Sequence, residues 1–286
     1  MTEGSSFALT TPAFVDHVEL TVGDLSTASS FYQRVIGLSP IEQHAGKDVL
    51  GVGGRPLLTL TERGDATPAP RSAAGLFHIA FLLPTRADLA HWLSHAGEQN
   101  VRLEGASDHL VSEALYLSDP EGNGIEIYRD RRPDEWTYHD DGTVEMATER
   151  LDLRALLAET PHKPFTGMAD GTAVGHIHLQ VGDVAQAEGF YRDILGLKVM
   201  AHYPGASFMA TGGYHHHVAA NIWNSRKAEP RGENMRGLAG YRLHYNDAAA
   251  FESTLASLRE KQVPMQQTVE GWVISDPWNI GITLSA

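Results

Sequence analysis

Val18, Leu20 and Val22 alternate with Glu19 and Thr21, the period-two pattern of a half-buried strand. Asp24 follows where a helix N-cap belongs, and Leu25, Ala28, Phe31 and Tyr32 recur on one helical face behind it. Gly37 predicts the end of that helix, and residues 49–52 and 57–61 read as strands separated by Gly53 and Gly54. A second unit then begins. Residues 77–83 predict a strand, and 86–96 a helix whose apolar face is Leu89, Trp92 and Leu93. Residues 114–117 and 124–128 predict further strands, joined by the turn Asp119-Pro120-Glu121-Gly122-Asn123.

The pattern returns. DHVELTVGDLSTASSFYQRVIGL, from Asp16, is matched by GHIHLQVGDVAQAEGFYRDILGL, from Gly175, at an offset of 159 residues. His17, Gly23, Asp24, Phe31, Tyr32, Gly37 and Leu38 recur as His176, Gly182, Asp183, Phe190, Tyr191, Gly196 and Leu197. Each half also carries a later Asp-Pro pair, Asp119-Pro120 and Asp276-Pro277, ahead of a short apolar run. The chain is a duplication. The expected architecture is α+β, with four βαβββ units in two tandem domains, 10–135 and 171–286. A polar, turn-rich linker over 136–170 separates them, with a short helix around 151–157.

Composition narrows the chemistry. The 286 residues include no cysteine, which excludes disulfides, thiolate metal sites, iron–sulfur clusters and cysteine nucleophiles. Any metal is therefore held by nitrogen and oxygen, and the 15 histidines point the same way. A formal net charge of −14 argues against nucleic acid or an anionic membrane as partner. No apolar run reaches the roughly 18 residues of a membrane span, and the N-terminus lacks a signal-peptide pattern. A cytoplasmic protein is expected.

Three residues stand at comparable places in the first half. His17 is on the opening strand of the first unit, His78 on that of the second, and Glu126 on the last strand of the second. Taken singly, each is an ordinary packed or surface strand residue. If the two units face each other, the three line one cavity as a 2-His-1-carboxylate site. That set suits Fe(II), because it leaves positions open for other ligands, and it accepts Mn(II) too.

The stretch His109–Glu126, HLVSEALYLSDPEGNGIE, resembles the signature of type I extradiol ring-cleavage dioxygenases. The repeated unit resembles the vicinal oxygen chelate superfamily, which includes glyoxalases and bleomycin-resistance proteins. Over nearly its full length, GGYHHHVAANIW included, the chain is similar to the CatE-like catechol-2,3-dioxygenase group. The resemblance implies two glyoxalase-like domains and a non-haem Fe(II) on His17, His78 and Glu126. It implies an aromatic diol and O2 as reactants, with His109 and Tyr116 in catalytic roles beside them. It leaves homo-oligomerisation open. A further histidine that many extradiol enzymes place on a late strand of the ligand-bearing unit has no match near 57–62.

In the second half His176 matches His17, but the partner of His78 falls at Gly240 or Tyr241 and that of Glu126 at Thr283. This half therefore reads as a degenerate copy with a structural role. Its histidines, His176, His178, His215, His216, His217 and His244, then bond within the core or cover the first-half pocket. A separate site on His176, His217 and His244 is the alternative. Two other functions stand beside the dioxygenase. One is a glyoxalase-type isomerase or lyase with Glu62 as fourth ligand. The other is a metal-free protein that sequesters a small molecule.

Overall fold

The computed structural model describes residues 6–286. The first unit is β1 (Ala13–Val22), α1 (Leu25–Phe31), β2 (Ser39–His44), β3 (Lys47–Val52) and β4 (Arg55–Glu62). The second is β5 (Gly75–Leu82), α2 (Arg86–Glu98), β6 (Gly105–Asp108), β7 (Ser112–Ser118) and β8 (Gly124–Asp130). Between the halves lie the short β9 (Glu149–Arg150) and α3 (Leu153–Leu157). The third unit is β10 (Ala173–Gln180), α4 (Val184–Asp193), β11 (Lys198–Tyr203), β12 (Ala206–Ala210) and β13 (Val218–Asn221). The fourth is β14 (Gly237–Tyr245), α5 (Ala248–Glu260), β15 (Gln266–Thr268), β16 (Gly271–Ser275) and β17 (Gly281–Ser285).

Local chemistry repeats with the sequence. Asp24 Oδ1 accepts the Thr27 N–H at 2.9 Å and opens α1. Its repeat Asp183 accepts the Gln186 N–H at 2.8 Å and opens α4. Such a cap contributes about 1 kcal/mol. After a π turn over Tyr32–Ile36 the first helix stops at Gly37, where φ is 95°, a left-handed conformation that glycine adopts without Cβ strain. Strand β2 was not singled out in the sequence. Its residues are mostly exposed, so it lacks the apolar alternation that marks a strand with one buried face.

The sheets do not follow the two halves of the sequence. Strand β1 pairs antiparallel with β14, and β5 pairs antiparallel with β10. One sheet runs β15-β16-β17-β14-β1-β4-β3-β2, the other β11-β12-β13-β10-β5-β8-β7-β6-β9. The first unit thus shares a sheet with the fourth, and the second with the third. A core that includes Leu20, Ile79, Ile177 and Leu243 draws on all four opening strands. The segment between the halves is partly built in, since β9 extends the edge beyond β6. No described helix is long and apolar enough to cross a membrane.

Candidate metal centre

The register of the nine-stranded sheet creates a cluster. Ala80 on β5 pairs with His176 on β10 and with Glu126 on β8. His78 lies two residues before Ala80, and alternate strand residues share a face. Ala80 contributes only a methyl group between its flanking partners. His78 Nε2 stands 2.9 Å from Glu126 Oε2, and His176 Nε2 stands 3.2 Å from the same oxygen. The two Nε2 atoms are 3.3 Å apart. All three residues are buried.

These separations fit a metal. Donor atoms about 2.1 Å from one ion and at right angles to each other stand about 3 Å apart. Burial opposes ionisation of Glu126, but the imidazoles of His176 and His78 turned onto it outweigh that and hold its carboxyl well below the usual range. Burial lowers the His176 pKa to about 4, although Glu126 opposes it. At neutral pH the cluster therefore holds an ionised carboxylate and, in His176, a neutral imidazole. His176 Nε2–H donates to the Glu126 carboxylate, and Nδ1 is buried without a hydrogen-bond partner, so Nε2 is the nitrogen a cation would meet once it displaces that proton.

His17, expected as the third ligand, is not in this cluster. It lies on β1 in the other sheet, where its Nε2 hydrogen-bonds to Thr59 Oγ1 at 2.9 Å. Its repeat His176, expected to be structural, takes the corner instead. The eight-stranded sheet contains the matching position of the duplication. There His17 pairs with Arg242 where His176 pairs with Ala80, and Arg242 pairs with Thr283 where Ala80 pairs with Glu126. Gly240, opposite Glu19, takes the place of His78. Arg242, forked onto Asp16 at 2.7 and 3.0 Å, occupies the position that Ala80 leaves small. The degenerate set read from the sequence, His176 with Gly240 or Tyr241 and Thr283, is not assembled, because Gly240 and Thr283 lie beside His17 and His176 lies in the other sheet.

His109 and Tyr116 do come together. His109 Nδ1 donates to the Ala147 carbonyl at 2.7 Å, which leaves its Nε2 to accept the Tyr116 hydroxyl at 2.7 Å. Tyr116 faces Glu126 across the β7–β8 pair. Burial, reinforced by the Glu126 charge, pushes the Tyr116 phenol well above 10, so it stays protonated. His78, Glu126, His109 and Tyr116 all line one cavity of about 890 Å³, walled in part by Phe77, Phe208 and Trp223.

The histidine run precedes β13 in a turn rather than lying on a strand. His217 bonds to Thr11 Oγ1 and the Ala8 carbonyl, and His244 bonds to Ser285 Oγ on the other sheet, so neither joins His176. His216, one of the histidines expected to bond in the core or cover the pocket, was given no role of its own in the sequence. It lines the cavity, and its ring lies 4.0 Å, centroid to centroid, from that of His176. His215 Nε2 lies 2.9 Å from Asp130 Oδ1, and its Nδ1 lies 2.7 Å from His216 Nδ1. Burial holds the His216 pKa well below 6.5, so its ring is neutral. The three consecutive histidines were a signal for this site, but nothing local told which one faces the cavity. Glu62 is remote from the cluster, on β4 of the other sheet, accepting the Leu25 N–H at 3.1 Å.

Comparisons with known proteins agree with the fold. The family model for the glyoxalase/bleomycin resistance protein/dioxygenase superfamily matches residues 14–127 and 173–272. A catechol-2,3-dioxygenase of Bacillus subtilis (strain 168) is 36% identical over 267 residues, 92% of this chain and 93% of that protein. The crystal structure of a proposed dioxygenase from Bacillus subtilis subsp. subtilis str. 168 superposes with a TM-score of 0.61 at 16% identity, covering 96% of this chain and 85% of that one. Glyoxalase I from Zea mays gives 0.57 at 14% identity, covering 97% and 94%. At those identities the two structures support the fold alone. By family model and by full-length relative, the chain belongs to the glyoxalase/bleomycin resistance protein/dioxygenase superfamily.

Proposed function

We propose that this chain is an extradiol ring-cleavage dioxygenase, which opens catechol-type aromatic diols with O2 and holds one Fe(II) or Mn(II) on His78, Glu126 and His176. The observation that carries the reading is the triangle of donor atoms, with edges of 2.9, 3.2 and 3.3 Å, beside an aromatic-walled cavity. When bound, a metal with three protein ligands acidifies the diol and leaves positions for both reactants.

The chain's own residues do the rest. Phe77, Phe208 and Trp223 supply flat apolar surface for an aromatic ring and keep water from it. Tyr116 is a protonated phenol beside the cluster, and its proton points to His109 Nε2. His109 in turn is fixed by the Ala147 carbonyl, so a proton taken up at the Tyr116 oxygen has a path to a basic nitrogen. His216 is a neutral imidazole on another wall, able to hydrogen-bond a substrate hydroxyl.

A four-ligand isomerase site is less well supported. Among the described residues His78, Glu126 and His176 form the only such cluster, and it holds three members. The test is anaerobic loading with Fe(II) or Mn(II), then oxygen uptake with catechol and appearance of a yellow ring-opened product. One metal per chain with diol-dependent oxygen uptake is expected. Metal binding without uptake on any diol would overturn the dioxygenase reading.

A further inference from the structure

The cavity is larger than a single-ring diol fills. About 890 Å³ lies in the range that accommodates ligands of drug size. Phe77, His78 and Trp223 share the lining with three arginines, Arg71, Arg231 and Arg236, and with Glu104 and Glu121, in a chain whose net charge is −14.

Arg231 is the best defined of the three. Only 7% of it is exposed. Its Nη1 donates to the Ala74 carbonyl at 2.8 Å and its Nη2 to the Arg236 carbonyl at 2.9 Å. These bonds use two of the five guanidinium donors. Among the described residues it has no salt-bridge partner. Burial lowers its pKa, and Asp276 opposes this only through space. The Asp276 carboxylate is itself committed to the Trp278 and Ile280 N–H groups and the Tyr191 hydroxyl. Arg71 is exposed and likewise unpaired among the described residues. Arg236 has one acidic neighbour, Glu121 Oε2 at 3.8 Å. The other oxygen of Glu121 accepts the Gly23 and Asp24 N–H groups at 2.7 and 3.0 Å. A buried guanidinium without an anion is costly, so positive charge here is poised for an incoming one.

The spacing to the metal centre is set by one strand. A Cβ on Gly75 would lie 2.3 Å from Arg231 Nη1, so the absent side chain is what lets the guanidinium rest against β5. Gly75 precedes His78 by three residues, but Phe77 bulges between them, so the step matches two residues of β10, about 7 Å along the strand.

We propose that the diol opened here bears an anionic substituent, a carboxylate on a short side chain, received by Arg231 with Arg71 and Arg236 adding positive potential. The diol part of this statement rests on the dioxygenase reading, whereas the anion subsite does not.

The test therefore starts with ligands that have no diol. Full-length chain, stripped with chelator so that a carboxylate has no metal to meet, is titrated calorimetrically with 3-phenylpropionate and with its amide. The acid is expected to bind at least tenfold more tightly, with a preference that shrinks as salt rises. Arg231→Gln should bring the acid to the level of the amide and leave the amide unchanged. Arg71→Gln, on the surface, should reduce the acid preference severalfold and guards against misfolding of the buried variant. Equal binding of acid and amide by the wild-type chain would overturn the proposal. So would an Arg231→Gln variant that is folded by circular dichroism and weakens both ligands alike. With metal restored, 3-(2,3-dihydroxyphenyl)propionate should exceed catechol in kcat/KM at least tenfold, and Arg231→Gln should erase the advantage through KM. An acid preference without turnover of any diol would sink the dioxygenase reading and leave the anion subsite standing.

Discussion

Replacing His176 with alanine should abolish metal binding, and replacing its repeat partner His17 should not. His176 Nε2 forms one corner of the donor triangle, 3.2 Å from Glu126 Oε2 and 3.3 Å from His78 Nε2. Structural four-ligand zinc sites reach about 10–16 kcal/mol, so one ligand of such a set supplies about 3 kcal/mol. Its loss weakens binding at least about 100-fold. His17 is in the other sheet and bonds to Thr59, so His17→Ala should cost about 1 kcal/mol of folding stability. Its metal affinity should stay within about twofold of wild type, because a remote site adds independently. The assay is anaerobic titration of the stripped chain with Mn(II) or Fe(II), followed by metal content after gel filtration. His176 is 1% exposed, and its removal leaves a hole. Urea midpoints therefore separate loss of the site from loss of the fold, and His176→Gln retains bulk without the imidazole. A His176→Ala variant that keeps one metal per chain, beside a His17→Ala variant that loses it, would refute the geometric argument.

Two further outcomes are expected. Tyr116→Phe removes the hydroxyl that donates to His109 at 2.7 Å, and should lower kcat by about 10²–10⁴ with metal content unchanged, measured by single-turnover kinetics on loaded enzyme. His217 is held neutral down to about pH 3 by burial, against an ordinary 6.5. Between those values the unfolded chain binds the extra proton, so this group's stabilisation is complete above 6.5 and is lost as pH falls. The loss is about 2 kcal/mol by pH 5. His217→Gln in the stripped chain should shrink the wild-type fall in unfolding free energy between pH 7 and pH 5 by that amount. An unchanged slope would remove His217 from the account.

Much of the molecule was legible locally. Alternation marked β1, a short apolar run marked β5, the Gly-Asp pair marked the start of α1 and α4, and the offset repeat exposed the duplication. His78 and Glu126 were legible because they lie in one unit, joined by the parallel β5–β8 pair. The His109–Tyr116 bond was legible for the same reason, since β7 carries the tyrosine within the same unit and the histidine just precedes that strand. His216 was not, because it sits in a turn where no periodicity says which way a side chain faces.

The sequence by itself determined the repeating unit, the face on which each opening strand carries its histidine, and a nitrogen-and-oxygen ligand set without thiolates. Only the tertiary structure decided that the second unit lies beside the third and the first beside the fourth, and hence that His176 rather than His17 meets His78 and Glu126. The reason is that β1 and β10 are copies. Each presents the same alternation and the same unpaired edge, so local pattern fixes what a strand can offer, while the edge it joins is settled by how all four units share one core.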